Sequence, residues 1–327
     1  MVRDLYKDPA IIEVLGVDGS EWVVSGYGDG AQGVILDQGA QGLQEAPRKG
    51  VWTQTAFQHG STYAGHSVEP LDLVLGFQIW GDDHDWAQVS SDFRNAFDYG
   101  REATIRVTSE SGRRTLKVRL LEAPKRDQNK DPRMLQYSLE VYTLRAAWPF
   151  WEGETVIQSG SMMLQAKSDL ASDYSPDTDE RKNLDRMFTL DPEAKYWGVE
   201  SVKAFNPTDV PIYPVWALTD HAMWCVPDKS FTNAAEADRM IITPNLGEGE
   251  GLSIDTYPLR EPYVAANGSN IAGRFGGVLF LNPIPPRTRE SIMSICVVTR
   301  SDTVKPEWGM RMVQYWNGPW GGEMRGF

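Results

Sequence analysis

The sequence predicts a mainly β protein, in which a β-domain bearing one helix is followed by a β-sandwich. Three observations support this class. Thirty glycines and twenty prolines interrupt the 327 residues, as expected for short strands joined by turns. Apolar and polar residues alternate in many short runs, whereas only one run has a clear helical period. The segment AFNPTDVPIYPVW at 204–216 contains three prolines, which fix the backbone in turn or edge-strand conformations.

The N-terminal half is predicted to form an antiparallel sheet. Residues 11–17 and 22–24 flank Asp18-Gly19, a pair typical of tight hairpin turns. Further strands with one buried face are predicted from period-two alternation at 71–80, 103–108, 116–120 and 135–144. The strands at 103–108 and 116–120 lie on either side of a turn and form a second hairpin.

One amphipathic helix is predicted over residues 85–99. Four apolar residues recur at spacings of three, four and four, and therefore share one face: Trp86, Val89, Phe93 and Phe97. Three aspartates suit the helix N-terminus, where carboxylates accept unpaired backbone N–H groups: Asp82, Asp83 and Asp85. Gly100 is predicted to end the helix.

The C-terminal half is predicted to be a sandwich of short strands. A domain boundary is expected near Trp148-Pro149, which divides the chain into residues 1–148 and 149–327. The polar stretch 159–191 supports little core and is predicted to be a loop or insertion. GLSIDTYP at 251–258 is the expected partner strand of the proline-rich segment. Strands are predicted at 198–205, 212–218, 223–226, 240–243, 252–255, 277–281, 291–298 and 310–315.

Charge and cysteine content exclude several classes of protein. The formal net charge of −13 argues against a nucleic-acid-binding surface, because phosphates would be repelled. Cys225 and Cys296, the only cysteines, lie in apolar stretches and are expected to be buried and free. The start of the chain has no secretory signal and no stretch could span a bilayer, so synthesis and folding in a cytoplasm are expected.

No motif for catalysis, cofactor binding or metal binding stands out. GDGAQG at 28–33 matches G-x-G-x-x-G but precedes a strand, so a glycine-rich loop is the favoured interpretation. The aspartates near residue 82 and those near residue 177 lack matching ligand spacing. Four histidines are present, none of them in a recognised motif: His59, His66, His84 and His221. A Ser–His–Asp triad and a carboxylate pair are recognised only in space, and the sequence leaves both open.

Two tryptophans near the C-terminus are candidate glycan contacts. Trp316 and Trp320 lie in YWNGPWGGEMRGF, a stretch suited to exposure, and aromatic rings can stack on sugars. The alternative is that these rings pack the end of the chain onto the sandwich.

The sequence resembles a known family along nearly its whole length outside 159–191. The resemblance is carried by several segments that occur in the order of that family: 15–36, 46–65, 69–77, 92–100, 114–124, 144–151, 204–216, 251–258 and 273–286. On these segments the chain is similar to the distal tail proteins of long, non-contractile-tailed bacteriophages. It looks most like the minor tail proteins of phages that infect actinobacteria.

The resemblance implies a structural protein of the virion tail tip with no enzymatic activity. It implies an N-terminal belt domain (1–148) that closes into a six-fold ring, and a galectin-like C-terminal sandwich (149–327). It further implies contacts with the tail tube, with a hub or tail-associated lysin, and with the tape measure protein. A carbohydrate-binding module that adheres to host cell-wall glycans is the alternative function.

Overall fold

The computed structural model describes residues 8–81, 85–126 and 131–322. The protein is mainly β, with 43% of residues in strands and 13% in helices, which confirms the predicted class. The chain divides into two compact units. Among the described residues, the first comprises those of 8–154 and 315–322, and the second contains Thr155–Gln314. The domain boundary near residue 148 stays a prediction, and residues 315–322 lie in the first unit.

The first unit is built from antiparallel strands and one long helix. Its elements are β1 Ile11–Leu15, β2 Glu21–Ser25, β3 Val34–Leu36, β4 Arg48–Thr53, β5 Thr62–Val68, β6 Leu71–Trp80, α1 Trp86–Asn95, β7 Ala103–Ser109, β8 Gly112–Leu120, β9 Lys125–Arg126, α2 Pro132–Leu135 and β10 Tyr137–Ala146. The pairing runs β2-β1-β7-β8 on one side and β3-β6-β10 on the other, and β10 also contacts β8 and β9. The predicted hairpins β1–β2 and β7–β8 are confirmed.

The core of the first unit is aromatic. Phe93 on α1 contacts Trp22, Phe77 and Tyr142 edge-on, with ring centroids 4.8 to 5.6 Å apart. Alternation in β6 is complete, since Leu71, Leu73, Leu75, Phe77 and Ile79 are all buried. The single amphipathic helix therefore covers the apolar face of the β6–β10 pair, as the spacing predicts.

Helix α1 ends earlier than the sequence predicts. Its last residue is Asn95, and Ala96 is the C-cap. The carboxylate of Asp98 accepts the backbone N–H groups of Gly100 and Arg101 at 2.6 and 3.1 Å, so a local side-chain turn replaces the last helical turn. Asp85 is the N-cap, as predicted. Asp82 and Asp83 lie outside the described residues.

The second unit contains two sheets that share one apolar core. Its elements are β11 Trp151–Ser161, which enters from the first unit, β12 Gln165–Ala166, α3 Leu170–Asp173, α4 Asp179–Leu190, β13 Tyr196–Asn206, β14 Val215–Leu218, β15 Met223–Pro227, β16 Met240–Ile242, β17 Leu252–Asp255, β18 Tyr263–Ala265, β19 Thr288–Thr299 and β20 Glu307–Trp316, which returns to it. Short 3-10 turns cover Lys167–Asp169, Ala234–Glu236 and Ala272–Phe275. One sheet has the order β12-β13-β19-β15-β16, and the other includes β18-β17-β14-β20.

The proline-rich segment behaves as predicted. β14 pairs with β17, and Trp216 lies opposite Ile254. The bend before β14 is held by Asn206, whose buried amide donates to the carbonyls of Val210 and Ile284 at 2.8 and 3.0 Å. A buried amide that makes these bonds fixes the chain path without a helix or ladder.

The predicted strand at 277–281 is wrong. The backbone N–H groups of Leu281 and Asn282 donate to the buried carboxylate of Asp228 instead of to a neighbouring strand. Gly276 and Gly277 both have positive φ, at 61° and 82°, which turns the chain before it can extend.

The polar stretch 159–191 is not a loop. After β11 and β12 it forms α3 and α4, and α4 buries Leu184, Met187 and Phe188. These side chains join the sheet residues Trp197, Cys225 and Cys296 in a separate apolar cluster. The loop interpretation is wrong here, because three apolar residues on one helical face are enough to stabilise a helix that packs on a sheet. The other interpretation, an insertion, stays a prediction. The two cysteines are buried and free, as predicted.

Candidate functional site

The hairpin β4–β5, hereafter called the arm (Arg48–Val68), is a largely exposed element of the first unit. Its two strands form a sheet of their own and pair only with each other among the described residues. The root is fixed, since Glu69 N–H donates to the carbonyl of Pro47 at 2.9 Å and Arg48 donates to the side chain of Asn317 at 3.0 Å. Beyond the root, every residue of β4 is exposed. The arm is therefore an anchored hairpin with solvent on both faces.

The arm carries large apolar side chains that it does not bury. Trp52 and Tyr63 lie opposite each other on the two strands, with their rings edge-on at a centroid distance of 5.1 Å. Trp52 is nevertheless 60% exposed, and Val51 and Tyr63 are about half exposed. Monomeric proteins rarely expose several aromatic and aliphatic side chains on one short element. Such a group therefore indicates an interaction surface.

Phe57 lies at the tip of the arm and is completely exposed. The tip is a four-residue turn in which Gln58 N–H donates to the carbonyl of Thr55 at 3.1 Å, and the Gln58 side chain accepts the Thr55 N–H at 3.1 Å. Phe57 occupies the third position of this turn with φ +68°. Glycine or asparagine is usual there, because a bulky side chain is unfavourable in the left-handed region.

A groove opens between helix α1 and the glycine-rich loop before β3. It has a cavity volume of about 310 Å³ and is lined by Trp22, Ala31, Gln32, Gln88, Val89 and Asp92. Buried Trp22 and Val89 form its apolar floor. Gln88 donates to the carboxylate of Asp92 at 2.8 Å, so the rim on the helix side is polar and acidic.

The loop wall of the groove is held by one side chain. The Gln32 side chain donates to the carbonyl of Glu21 at 2.7 Å and accepts the N–H of Val23 at 3.0 Å. These two hydrogen bonds satisfy backbone groups on the outer edge of β2. Gly33 has φ +77°, and a Cβ there would lie 2.5 Å from the carbonyl of Trp80. The absence of a side chain at Gly33 thus allows the GDGAQG loop to pack closely against β6 and Val89. The segment precedes a strand, as the sequence predicts.

A buried polar network fixes the helix side of the groove. The carboxylate of Glu140, which has no exposed surface, accepts hydrogen bonds from Ser90 on α1 at 2.8 Å and from Ser138 at 3.2 Å, and it pairs with Arg126 at 3.0 Å. Burial, together with the charge of Glu140, raises the pKa of the Tyr142 hydroxyl, which donates to the same carboxylate. A buried carboxylate with several partners holds α1 at a fixed position over β10.

The two tryptophans predicted as glycan contacts lie in the first unit and differ in exposure. Trp316 is only 6% exposed, and the guanidinium of Arg114 lies 3.9 Å from its ring centroid. Trp320 is 38% exposed. Trp320 is therefore the more accessible of the two rings, and glycan contact stays a prediction.

The other candidate chemistry is dispersed in the structure. His59 is near the tip of the arm, and the Nδ1 of His66 contacts the Tyr63 hydroxyl at 2.8 Å. His221 lies at a turn with φ +57°, and His84 falls outside the described residues. Within the described part of the chain, no group of three or more histidine, cysteine, aspartate or glutamate side chains could hold a metal ion.

A cavity of about 150 Å³ lies between α4 and β19 in the second unit. Its lining mixes opposite charges, including Glu180 and Lys229, and Glu180 already accepts a hydrogen bond from Ser294 at 2.8 Å. Its Arg239 pairs with the buried Asp228 that holds residues 281–282. Glu180, Ser294 and Arg239 of this cavity are therefore already engaged within the fold.

Sequence reasoning did not single out the arm or the groove as functional. The arm had a signal, since VWTQTAF at 51–57 places three large apolar residues in a hairpin whose strands show no consistent buried face. The groove had none, because Trp22, Ala31 and Val89 are distant in sequence and meet only in the fold.

Comparisons with known proteins agree on one kind of relative. No protein-family profile matches the chain. Two minor tail proteins called Gp27, from Mycobacterium phages D29 and L5, are each 29% identical over a 307-residue alignment; the alignments cover 86% of the chain and 89% and 90% of the relatives. Among the described residues, no helix is both long and apolar enough to cross a membrane.

The fold has a counterpart among solved structures. The crystal structure of the phage SPP1 protein Dit (gp 19.1), described as a paradigm of the hub adsorption apparatus in phages that infect Gram-positive bacteria, superposes with a TM-score of 0.55 at 10% identity. The match covers 94% of this chain and 99% of Dit. The chain is thus a homologue of the mycobacteriophage minor tail protein Gp27, and its structure is similar to that of the distal tail protein of SPP1.

Proposed function

We propose that this chain is the distal tail protein of a long, non-contractile-tailed phage, where it forms a homohexameric ring at the tail tip. One observation carries the proposal: similarity to minor tail proteins extends over 86% of the chain, and similarity to the Dit fold extends over both units. Because each match spans most of the chain and of the relative, the resemblance concerns the whole architecture and not one shared domain.

In this proposal the two units have different tasks. The first unit is the belt that closes the ring, and one ring face continues the tail tube while the other holds the hub or tail-associated lysin. The tape measure protein would end at the same ring. The second unit is a galectin-like sandwich. The net charge of −13 suits a channel for DNA, since like charges limit adhesion of the phosphate backbone.

The proposed role is structural and requires no reaction. Relatives of the Dit type form a family not known to be enzymatic. The buried carboxylates described above, Glu140 and Asp228, are each engaged by several structural partners.

Two measurements test the proposal. Mass photometry of the purified full chain is expected to show a species of about six times the 36.7 kDa mass of one chain. Immunogold labelling of virions is expected to mark the tail tip. A strict monomer at high concentration, combined with no label at the tip, would refute the proposal.

A second candidate function is adhesion to host cell-wall glycans, and the exposure of Trp320 favours it. An exposed indole can stack on a sugar ring. A glycan array with the full chain is expected to show binding that Trp320→Ala abolishes and that Trp316→Phe preserves, since Trp316 is buried. An array without binding would remove this candidate and leave the ring proposal untouched.

A further inference from the structure

We infer that the arm of one copy inserts Phe57 into the groove of a neighbouring copy, the groove between α1 and the glycine-rich loop. This inference rests on the proposed ring, because it names the contact by which one subunit holds the next. The occupant of the groove is a second copy of this chain, and the ligand group is a single aromatic ring.

The first argument is the state of Phe57 in the isolated chain. Its ring is completely exposed, and its backbone is in a left-handed conformation that disfavours bulky side chains. Neither feature stabilises the chain in which it occurs. Backbone strain of this kind is retained at sites where surrounding structure fixes it for function. The bonds between Gln58 and Thr55 fix the turn and thus hold the ring outward.

The second argument is the fit of the groove. A volume of about 150 Å³ is enough to hold a benzene ring in an apolar cavity, and the groove, which is open and has apolar and polar sides, has about 310 Å³. Its floor offers the indole of Trp22 and the methyl groups of Val89, and aromatic pairs gain stability beyond their buried area. An aromatic ring inserted in a pocket is the usual centre of a strong protein interface.

The third argument is charge. The arm has no carboxylate between residues 48 and 68, and its cations are Lys49 and Arg48, the latter paired with Glu45 at the root. The lining of the groove has a carboxylate, Asp92, and no cation. Opposite charges on arm and groove favour docking in this orientation and disfavour arm-to-arm pairing.

The fourth argument is symmetry. The residues that line the groove include none from the arm. Phe57 and the groove are therefore different surfaces of one subunit. Contacts of this heterologous kind generate rings when the rotation closes. Gln32 occupies backbone groups on the edge of β2, so a neighbour at the groove binds through side chains and not by adding a strand.

The direct test is disulfide cross-linking of the full chain. The double variant Phe57→Cys/Gln88→Cys is expected to give a ladder of covalent oligomers under mild oxidation, because the two sulfurs would meet across the contact. Phe57→Cys/Lys117→Cys is the matched control, since Lys117 is an exposed residue of β8 away from the groove. The native cysteines are buried and do not compete. Absence of the ladder in a double variant that still assembles would overturn the inference.

A second measurement does not depend on the cysteines. Phe57→Ala is expected to raise the protein concentration needed for assembly about 30-fold, the effect of losing one interface anchor. Met134→Ala, which removes another exposed apolar side chain of the same unit, is expected to leave it unchanged. Normal assembly of Phe57→Ala would overturn the contact but not the ring. A wild-type chain that never assembles and is absent from tail tips would overturn both.

Discussion

The arm (48–68) and the helical segment α3–α4 (170–190) differ in whether their apolar side chains are buried within the chain. The arm exposes Trp52 and Phe57, whereas α4 packs Leu184 and Met187 against its own sheet with no exposed surface. Among the residues that the structure describes, the polar contacts of the arm lie at its root and within the arm itself. In contrast, α4 is bonded to the sheet through Glu180 and Ser294. Apolar side chains that find no partner in their own chain are available to another chain, and this difference separates a binding element from a structural one.

The largest expected change in the free energy of unfolding concerns a buried residue of α4, and it tests whether α4 belongs to the core. Leu184→Ala removes a fully buried side chain from the cluster with Trp197 and is expected to lower the free energy of unfolding by about 2–5 kcal/mol. Leu190→Ala, at an exposed position at the end of the same helix, is the control and should change it by less than about 0.5 kcal/mol. Chemical denaturation measures both. Equal effects would mean that α4 is not packed as the structure shows.

A smaller effect is expected from the polar anchor that follows α4. The carboxylate of Asp191 is buried and accepts hydrogen bonds from Arg300 at 2.9 and 3.0 Å and from Asn245 at 3.0 Å. Asp191→Ala is expected to lower the free energy of unfolding by about 2–3 kcal/mol, because the amide of Asn245 loses its charged acceptor. Asp185→Ala, whose pair with Arg181 is half exposed, should change it by less than about 0.5 kcal/mol. A null result for Asp191→Ala would show that packing alone holds the segment.

Local patterns predicted much of the fold. Alternation in β6 was sufficient to predict that strand, and the short turns were sufficient to predict the hairpins β1–β2 and β7–β8. Both signals depend on residues that are close in sequence. The end of α1 was not predictable from its apolar spacing. Phe97 continues that spacing and is buried, yet the Asp98 carboxylate captures the backbone before another helical turn forms.

The helix α4 and the groove were missed for a shared physical reason. The apolar residues of α4 are few, and their helix is stabilised by a sheet that lies far away in sequence. The groove likewise requires Trp22 and Val89 to meet through tertiary packing. Phe57 was visible in the sequence, but its positive φ and complete exposure are properties of the folded turn. Sites assembled from distant residues lack a local signature.

Acid tests a further difference, because the arm has no carboxylate whereas strand β1 carries Glu13, which pairs with Arg106 of β7. Arg106 donates two hydrogen bonds to Glu13, at 2.6 and 2.7 Å, and thereby lowers the pKa of Glu13. A lowered pKa stabilises the fold above the pKa of the unfolded chain, about 4.3, and this contribution disappears as pH falls through the lower folded value. The stability difference between wild type and Glu13→Gln is therefore expected to be about 1 kcal/mol at neutral pH and to vanish in acid. Denaturant unfolding at a series of pH values measures it, and a difference that persists in acid would contradict the pairing.

The smallest expected effect has the opposite sign and concerns the tip of the arm. Phe57→Gly removes a left-handed phenylalanine, which relieves about 1–2 kcal/mol, and adds about 0.5–1 kcal/mol of backbone entropy to the unfolded chain. Because the exposed ring has no burial to lose, unfolding of the unassembled subunit should require up to about 1.5 kcal/mol more free energy than in wild type. Ala56→Gly, one residue earlier and without a positive φ, only adds backbone entropy to the unfolded chain. Its free energy of unfolding should therefore be lower than that of wild type. Denaturation below the concentration at which the chain assembles compares the two variants. If Phe57→Gly destabilises the subunit as Ala56→Gly does, the ring of Phe57 is held within its own chain, and the arm is a structural element like α4. A gain in subunit stability together with a loss of assembly would instead mean that the residue is retained for its contact with a neighbour.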